Sequence, residues 1–260
     1  MADKYTSKMA LILDEQVASV GDVIEAAGNN GDVDRAMKVG DRDEAMEVHW
    51  AGRMEKGVVR RLTDEDGAHL LRTETYVGRL GLREGISHQA KLLQALSRQL
   101  RGHVIGIRDL EARVDQDEAW VNRLAIGQVD QKDAVAVAAA GEGVMWVHSH
   151  GAARFDIPDI ELYGLSAAQI PGAKAAVTNI VAQLLRVGLK GQLTLPNGTG
   201  VYLVPVLDAW QQMNLDWPGI GRAGKQRGSG LDGPRATLSV LHPPKLGRYR
   251  KDFKGVLAAL

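Results

Sequence analysis

Apolar positions recur with two different periods along this 260-residue chain, and the periods alternate from segment to segment. Lys8 to Leu13 is an apolar run of strand length and reads as a buried first strand. Ser19 is placed to cap a short helix that repeats Val20, Val23, Ile24 and Ala27 and stops at Gly28. Asn29 to Arg42 is rich in Gly and Asp and reads as a loop. Met46, Val48 and Trp50 then alternate with Glu47 and His49, which is the mark of a half-buried strand with His49 on its polar face. Ser87 reads as the N-cap of a helix carrying Leu92, Leu93, Leu96 and Leu100, with Gly102 as its stop. Val104 to Ile107 is a short strand, and Asp115 to Ile126 has a helical pattern.

The second half repeats the mixture. Ala134 to Ala140 and Val144 to His148 read as two strands of an antiparallel hairpin joined at Gly141-Glu142-Gly143. Pro171 suits the first turn of a long helix whose apolar face runs Ala173, Ala176, Val177, Ile180, Val181, Leu184 and Leu185, and Gly188 ends it. Asn197-Gly198 lies between apolar runs, the strongest short hairpin signal in the chain. Pro205 in the returning run has no amide hydrogen and points to a strand edge or a bulge. Trp217 to Gly233 is Gly-rich and reads as a long irregular loop, a lid or a linker. Thr237 to Leu241 is the last expected strand. Helices interspersed with hairpins predict an α+β fold with a mainly antiparallel sheet and packed helices. Both ends contain strand–helix–strand material, so two lobes are expected, 1–130 and 131–260, with a boundary near Asp130 to Asp133. Whether the lobes are related stays open, since no residue-level repeat links them.

Charge changes the picture at the ends. The chain has 32 basic and 32 acidic residues and a net charge of zero, which removes any global footprint for nucleic acid. Residues 1–75 nevertheless carry a net −6 and residues 221–260 a net +7. Arg222, Lys225, Arg248, Arg250 and Lys251 are the candidate anion- or partner-binding residues of that basic segment. There is no cysteine, which excludes disulfides, thiolate metal sites and cysteine nucleophiles. Near the N-terminus only Met9 to Leu13 is apolar before Asp14 and Glu15, and no run approaches a membrane span of about 20 residues. The expected location is cytoplasmic, without membrane contact.

Chemistry concentrates at Val144-Met145-Trp146-Val147-His148-Ser149-His150-Gly151. On a strand, residues i and i+2 share a face, so His148 and His150 project together and Ser149 points the other way. Two imidazoles on one face chelate a metal or share a proton. The nearest third ligands in sequence are Glu142, Asp156, Asp159 and Glu161. The run resembles the JAMM-type metalloproteases, which carry His-x-His on an apolar strand, then seven residues, a Ser, two more and an Asp ligand. Here Pro158 stands at the Ser position and Glu161 at the Asp position. That resemblance implies a metal set of His148, His150 and Glu161 but lacks the catalytic Ser.

A longer segment, Trp146 to Gly151 and then Arg154-Phe155-Asp156-Ile157-Pro158-Asp159-Ile160-Glu161-Leu162, resembles an uncharacterised bacterial family, a domain of unknown function. That family carries His-Thr-His-Gly-Leu, a Phe-Gly pair and Pro-Glu-Leu-Glu ahead of a long helix. Ser149, Ala152, Asp156 and Asp159-Ile160-Glu161 replace the corresponding family residues. The resemblance implies an α/β fold and a bacterial source, and it carries no activity and no cofactor. It also implies that Arg154, Asp159 and Glu161 gather near the two histidines as a binding cluster.

Gly219-Ile220-Gly221-Arg222-Ala223-Gly224-Lys225 has P-loop spacing. Gln226 stands where a nucleotide-binding loop needs Ser or Thr, and no strand precedes it. Five Trp, five Tyr and two Phe are too few for stacking platforms on a basic surface. Three readings follow. The first is a non-enzymatic accessory or immunity-type component that binds another protein or itself. The second is a metal-dependent hydrolase centred on His148 and His150. The third is nucleic-acid binding through the basic C-terminal segment.

Overall fold

The computed structural model describes residues 5–28, 33–39, 44–50, 56–77, 82–130, 135–141, 145–155, 157–210, 235–242 and 251–260. The chain divides into two compact units, Met1–Ala134 and Val135–Leu260. Each is α+β, with helices packed on a largely antiparallel sheet.

The first unit contains β1 (Tyr5–Leu13), α1 (Val20–Gly28), β2 (Val33–Lys38), β3 (Ala45–Trp50), β4 (Lys56–Thr63) and β5 (His69–Val77). These are followed by α2 (Leu82–Gln99), β6 (Val104–Asp109), β7 (Val114–Gln116) and α3 (Glu118–Ala125). Its strands run in the order β2-β3-β4-β5-β1-β6-β7, every neighbouring pair antiparallel. Met9, Leu11 and Leu13 alternate inward on β1, and Leu71 on the adjacent β5, Val59 on β4 and Val48 on β3 are buried as well. Ile86, Ala90, Leu93 and Leu96 form the buried stripe of α2. Gln89 on the same stripe is also buried. Its side-chain nitrogen donates to the carbonyls of Ser7 (2.9 Å) and Thr73 (2.9 Å), which satisfies the donor end of this buried amide.

Three expectations change here. Part of the Asn29 to Arg42 loop is a strand, β2, because β3 offers a free edge for pairing and outweighs the local Gly and Asp content. The helix expected from Ser87 begins at Leu82. Ser87 lies in its second turn, and its hydroxyl donates to the Ala125 carbonyl at 2.8 Å, so it ties α2 to the end of α3. The helix expected from Asp115 starts at Glu118, because Val114–Gln116 pairs with β6 and Asp117 is the N-cap, accepting from the Trp120 amide at 2.7 Å.

The second unit contains β8 (Ala136–Ala140), β9 (Met145–His150), β10 (Asp159–Leu165), α4 (Ile170–Val187) and β11 (Leu193–Thr194). Then come β12 (Gly200–Pro205), α5 (Val206–Trp210), β13 (Arg235–Val240) and α6 (Phe253–Ala258). The sheet order is β11-β12-β13-β10-β9-β8. β8 to β10 form one antiparallel meander and β11 to β13 another, and the two join through a parallel β10–β13 pair. A parallel join needs a crossover, and α4 is the first element of it. The apolar face of α4 (Ala173, Ala176, Val177, Ile180, Val181 and Leu184) packs in one core with Val147, Ile160, Leu162, Val201 and Leu238. Pro205 closes β12 beyond the end of the two-residue β11, where β12 is itself an edge and the missing amide hydrogen leaves no ladder bond unmade. The strand orders and connections of the two units differ.

Candidate functional site

β9 has two chemically different faces. Val147 points into the apolar core under α4. Trp146, His148 and His150 occupy the opposite face, as period-2 geometry requires. Their rings form a continuous run of contacts. Trp146 lies on His148 with ring centroids 3.9 Å apart and planes at 21°, and His148 meets His150 edge-on at 4.3 Å and 82°. Tyr163 of β10 lies parallel to Trp146 at 6.0 Å and 6°.

The neighbouring strands bring charge to the same face. Glu161 is the antiparallel partner of His148 and the parallel partner of Thr237. Its two carboxylate oxygens are both engaged: Tyr163 Oη donates to Oε2, and Arg235 Nη1 donates to Oε1. The side chains of Glu161 and Arg235 are 0% and 5% exposed, so this is a buried ion pair with supporting hydrogen bonds, the arrangement a buried charge requires.

The end of β9 is held by a second carboxylate. Gly151 has φ +96°, a left-handed conformation that glycine takes without a Cβ clash, and it turns the chain into the helical turn Ala152–Phe155. Asp159 Oδ1 receives the Ser149 hydroxyl at 2.9 Å and the Ala152 amide at 3.1 Å. Ser149 Oγ in turn receives the Ile160 amide at 2.9 Å. Ser149, opposite the histidines, therefore stitches β9 to β10. Burial pushes the Asp159 carboxyl up to about 6. The hydrogen bonds from Ala152 and Ser149 and the positive charges of Arg235 and Arg154 pull against that rise without cancelling it.

Every candidate binding residue of the motif is thus described. His148, His150, Arg154, Asp159 and Glu161 are all between 0 and 8% exposed. Of the metal set, His148 and Glu161 face each other across the β9–β10 ladder and His150 lies beside His148. Among the described residues no group of three or more His, Asp or Glu side chains has the geometry to hold a metal ion. Glu142 and Asp156 lie outside the described residues. So do Arg222, Lys225, Arg248 and Arg250 of the basic segment and the whole Gly219 to Lys225 motif. Lys251 is described and half-buried, just ahead of α6. No helix among the described residues is long and apolar enough to cross a membrane.

Two members of the cluster, Arg235 and Tyr163, were not among the sequence candidates. Their signal is present in retrospect. Arg235, Thr237 and Ser239 alternate with Ala236, Leu238 and Val240, so β13 carries a polar face, yet Thr237 and Ser239 are buried. The chain matches no protein-family model, and no curated protein or solved structure is significantly similar to it.

Proposed function

We propose that this chain is a non-enzymatic component that acts by binding another protein chain. The observation that carries the reading is the commitment of the motif's two carboxylates to their own neighbours. Glu161 is committed to Tyr163 and Arg235, Asp159 to Ser149 and Ala152, and the histidine rings to Trp146 and to each other. A reaction centre needs a general acid, base or ligand aimed at space a substrate can enter. Carboxylates committed to their neighbours in a buried cluster serve instead to fix the register of β9, β10 and β13.

The edge of the same sheet favours the binding half of this reading. β8 reads Ala-Val-Ala-Ala-Ala, is half-buried throughout and carries no charge. Among the described residues no strand pairs with its outer side. Natural edges are usually blunted by lysine, proline or a bulge, and an edge without them accepts an added strand from another chain.

The reading is tested in cells producing the full chain with a photoreactive phenylalanine analogue at position 138 in β8 or, as control, at exposed position 186 in α4. A covalent protein adduct from position 138 and none from 186 is the expected result. Absence of an adduct from 138 overturns the reading. So does a stoichiometric metal ion that survives saturation and desalting and is lost in a His148→Ala, His150→Ala double variant.

A further inference from the structure

The first unit carries a surface cavity of about 400 Å³ between α2, β6 and α3. Its volume falls within the range of small-molecule sites, about 300–1,000 Å³. Leu93, Ile107 and Val121 line it and are buried, with half-buried Val104 beside them. Its wall is closed by Gln94 of α2, whose amide donates to Asn122 of α3. Gly102, at φ +100°, turns the chain out of α2 into β6 and leaves Arg98 and Arg101 on the rim, both exposed.

Basic residues at a helix C-terminus complement the helix dipole, and Arg98 Nε does bond the Gln94 carbonyl of its own helix at 3.3 Å. Among the described residues neither Arg98 nor Arg101 forms an ion pair with a carboxylate, although Glu118 lines the same cavity. Two guanidiniums against one carboxylate leave the rim net positive over an apolar floor. A ligand that matches both parts has an anionic head for the guanidinium forks and a hydrocarbon body for the floor.

We propose that this cavity binds a small amphipathic organic anion, with a carboxylate or phosphate head at Arg98 and Arg101 and its apolar body against Leu93, Ile107 and Val121. This site is independent of the strand-edge reading above. Glu118 repels the head and sets an upper limit on affinity, so neutralising it tightens binding.

The test is titration calorimetry on the full chain with octanoate, octyl phosphate and octan-1-ol. Saturable binding of octanoate or octyl phosphate is expected, with the better of the two identifying the head group and octanol at least about ten-fold weaker, the loss of one charge-assisted contact. Arg98→Ala with Arg101→Ala lowers affinity for the anion by at least about ten-fold. Glu118→Gln tightens it. Val104→Trp, which fills the cavity and leaves both arginines in place, abolishes it. No saturable binding of either anion overturns the proposal. So does octanol binding as well as the anions, an unchanged affinity in the double arginine variant, or retention of binding in Val104→Trp.

Discussion

Replacing Asp159 by Asn separates what the carboxylate's shape contributes from what its charge costs. The Asn carbonyl oxygen keeps the two acceptor bonds, from Ser149 Oγ and the Ala152 amide. What disappears is a titratable group lifted from its ordinary 3.8 to about 6, chiefly by burial. A shift of about two units corresponds to about 3 kcal/mol of preference for the protonated form. The folded value lies above the unfolded one, so folding takes up a proton across this window. The carboxyl's contribution to stability is therefore best below pH about 4, falls as pH rises, and is at its worst above pH about 6. Asp159→Asn is expected to raise the stability of the second unit at neutral pH by about 1–3 kcal/mol, the lower figure allowing for an amide group left beside Arg154 and Arg235. The variant should also lose this part of the downward slope of stability between those two pH values. Urea unfolding of wild type and variant at steps from about pH 4 to pH 8, followed by tryptophan fluorescence and by hydrogen exchange of the β9 and β10 amides, measures both. A variant less stable than wild type at neutral pH, with the same pH slope, would refute the reasoning.

Arg235→Met leaves Glu161 buried without its cation and should cost about 3–5 kcal/mol, whereas Arg235→Met with Glu161→Leu should recover most of that loss, since an apolar pair replaces a buried ion pair at little cost. Denaturant midpoints of the two singles and the double give the coupling directly. Gly151→Ala places a Cβ at φ +96° and should destabilise by about 1–2 kcal/mol in the same assay, with the loss confined to the second unit. Ser87→Ala should cost about 1 kcal/mol through the lost bond to Ala125 and should speed hydrogen exchange at the end of α3 rather than at the start of α2, which a capping role would require.

Much of the second unit was legible because its signals are local. The apolar stripe from Ala173 to Leu184, the Pro171 start, the Gly188 stop and the common face of His148 and His150 all follow from spacing within a few residues. Arg235 was not legible as part of the site. Its partner Glu161 is 74 residues away, and only the parallel β10–β13 pairing brings them together. The same lack of local signal hid β4 and β5, where Arg60, Arg61, Arg72 and Glu74 interrupt the apolar positions. Their strand character comes from β1 and β3 pairing on either side. Ser87 misled because a serine before an apolar stripe signals a cap, while here the true helix start lies five residues earlier and the hydroxyl serves a partner 38 residues on.

The parallel join has a consequence for how the chain is made. At a synthesis rate of about 5–20 residues per second, the 74 residues between Glu161 and Arg235 take roughly 4–15 s to add. During that interval a nascent chain that has already docked α4 on β9 and β10 holds a carboxylate whose guanidinium has not yet been translated. The first meander therefore cannot settle into its final packing while it waits on the ribosome. Until β13 pairs with β10, its sheet ends at β10 with an open edge, and Glu161 has Tyr163 beside it but not its cation.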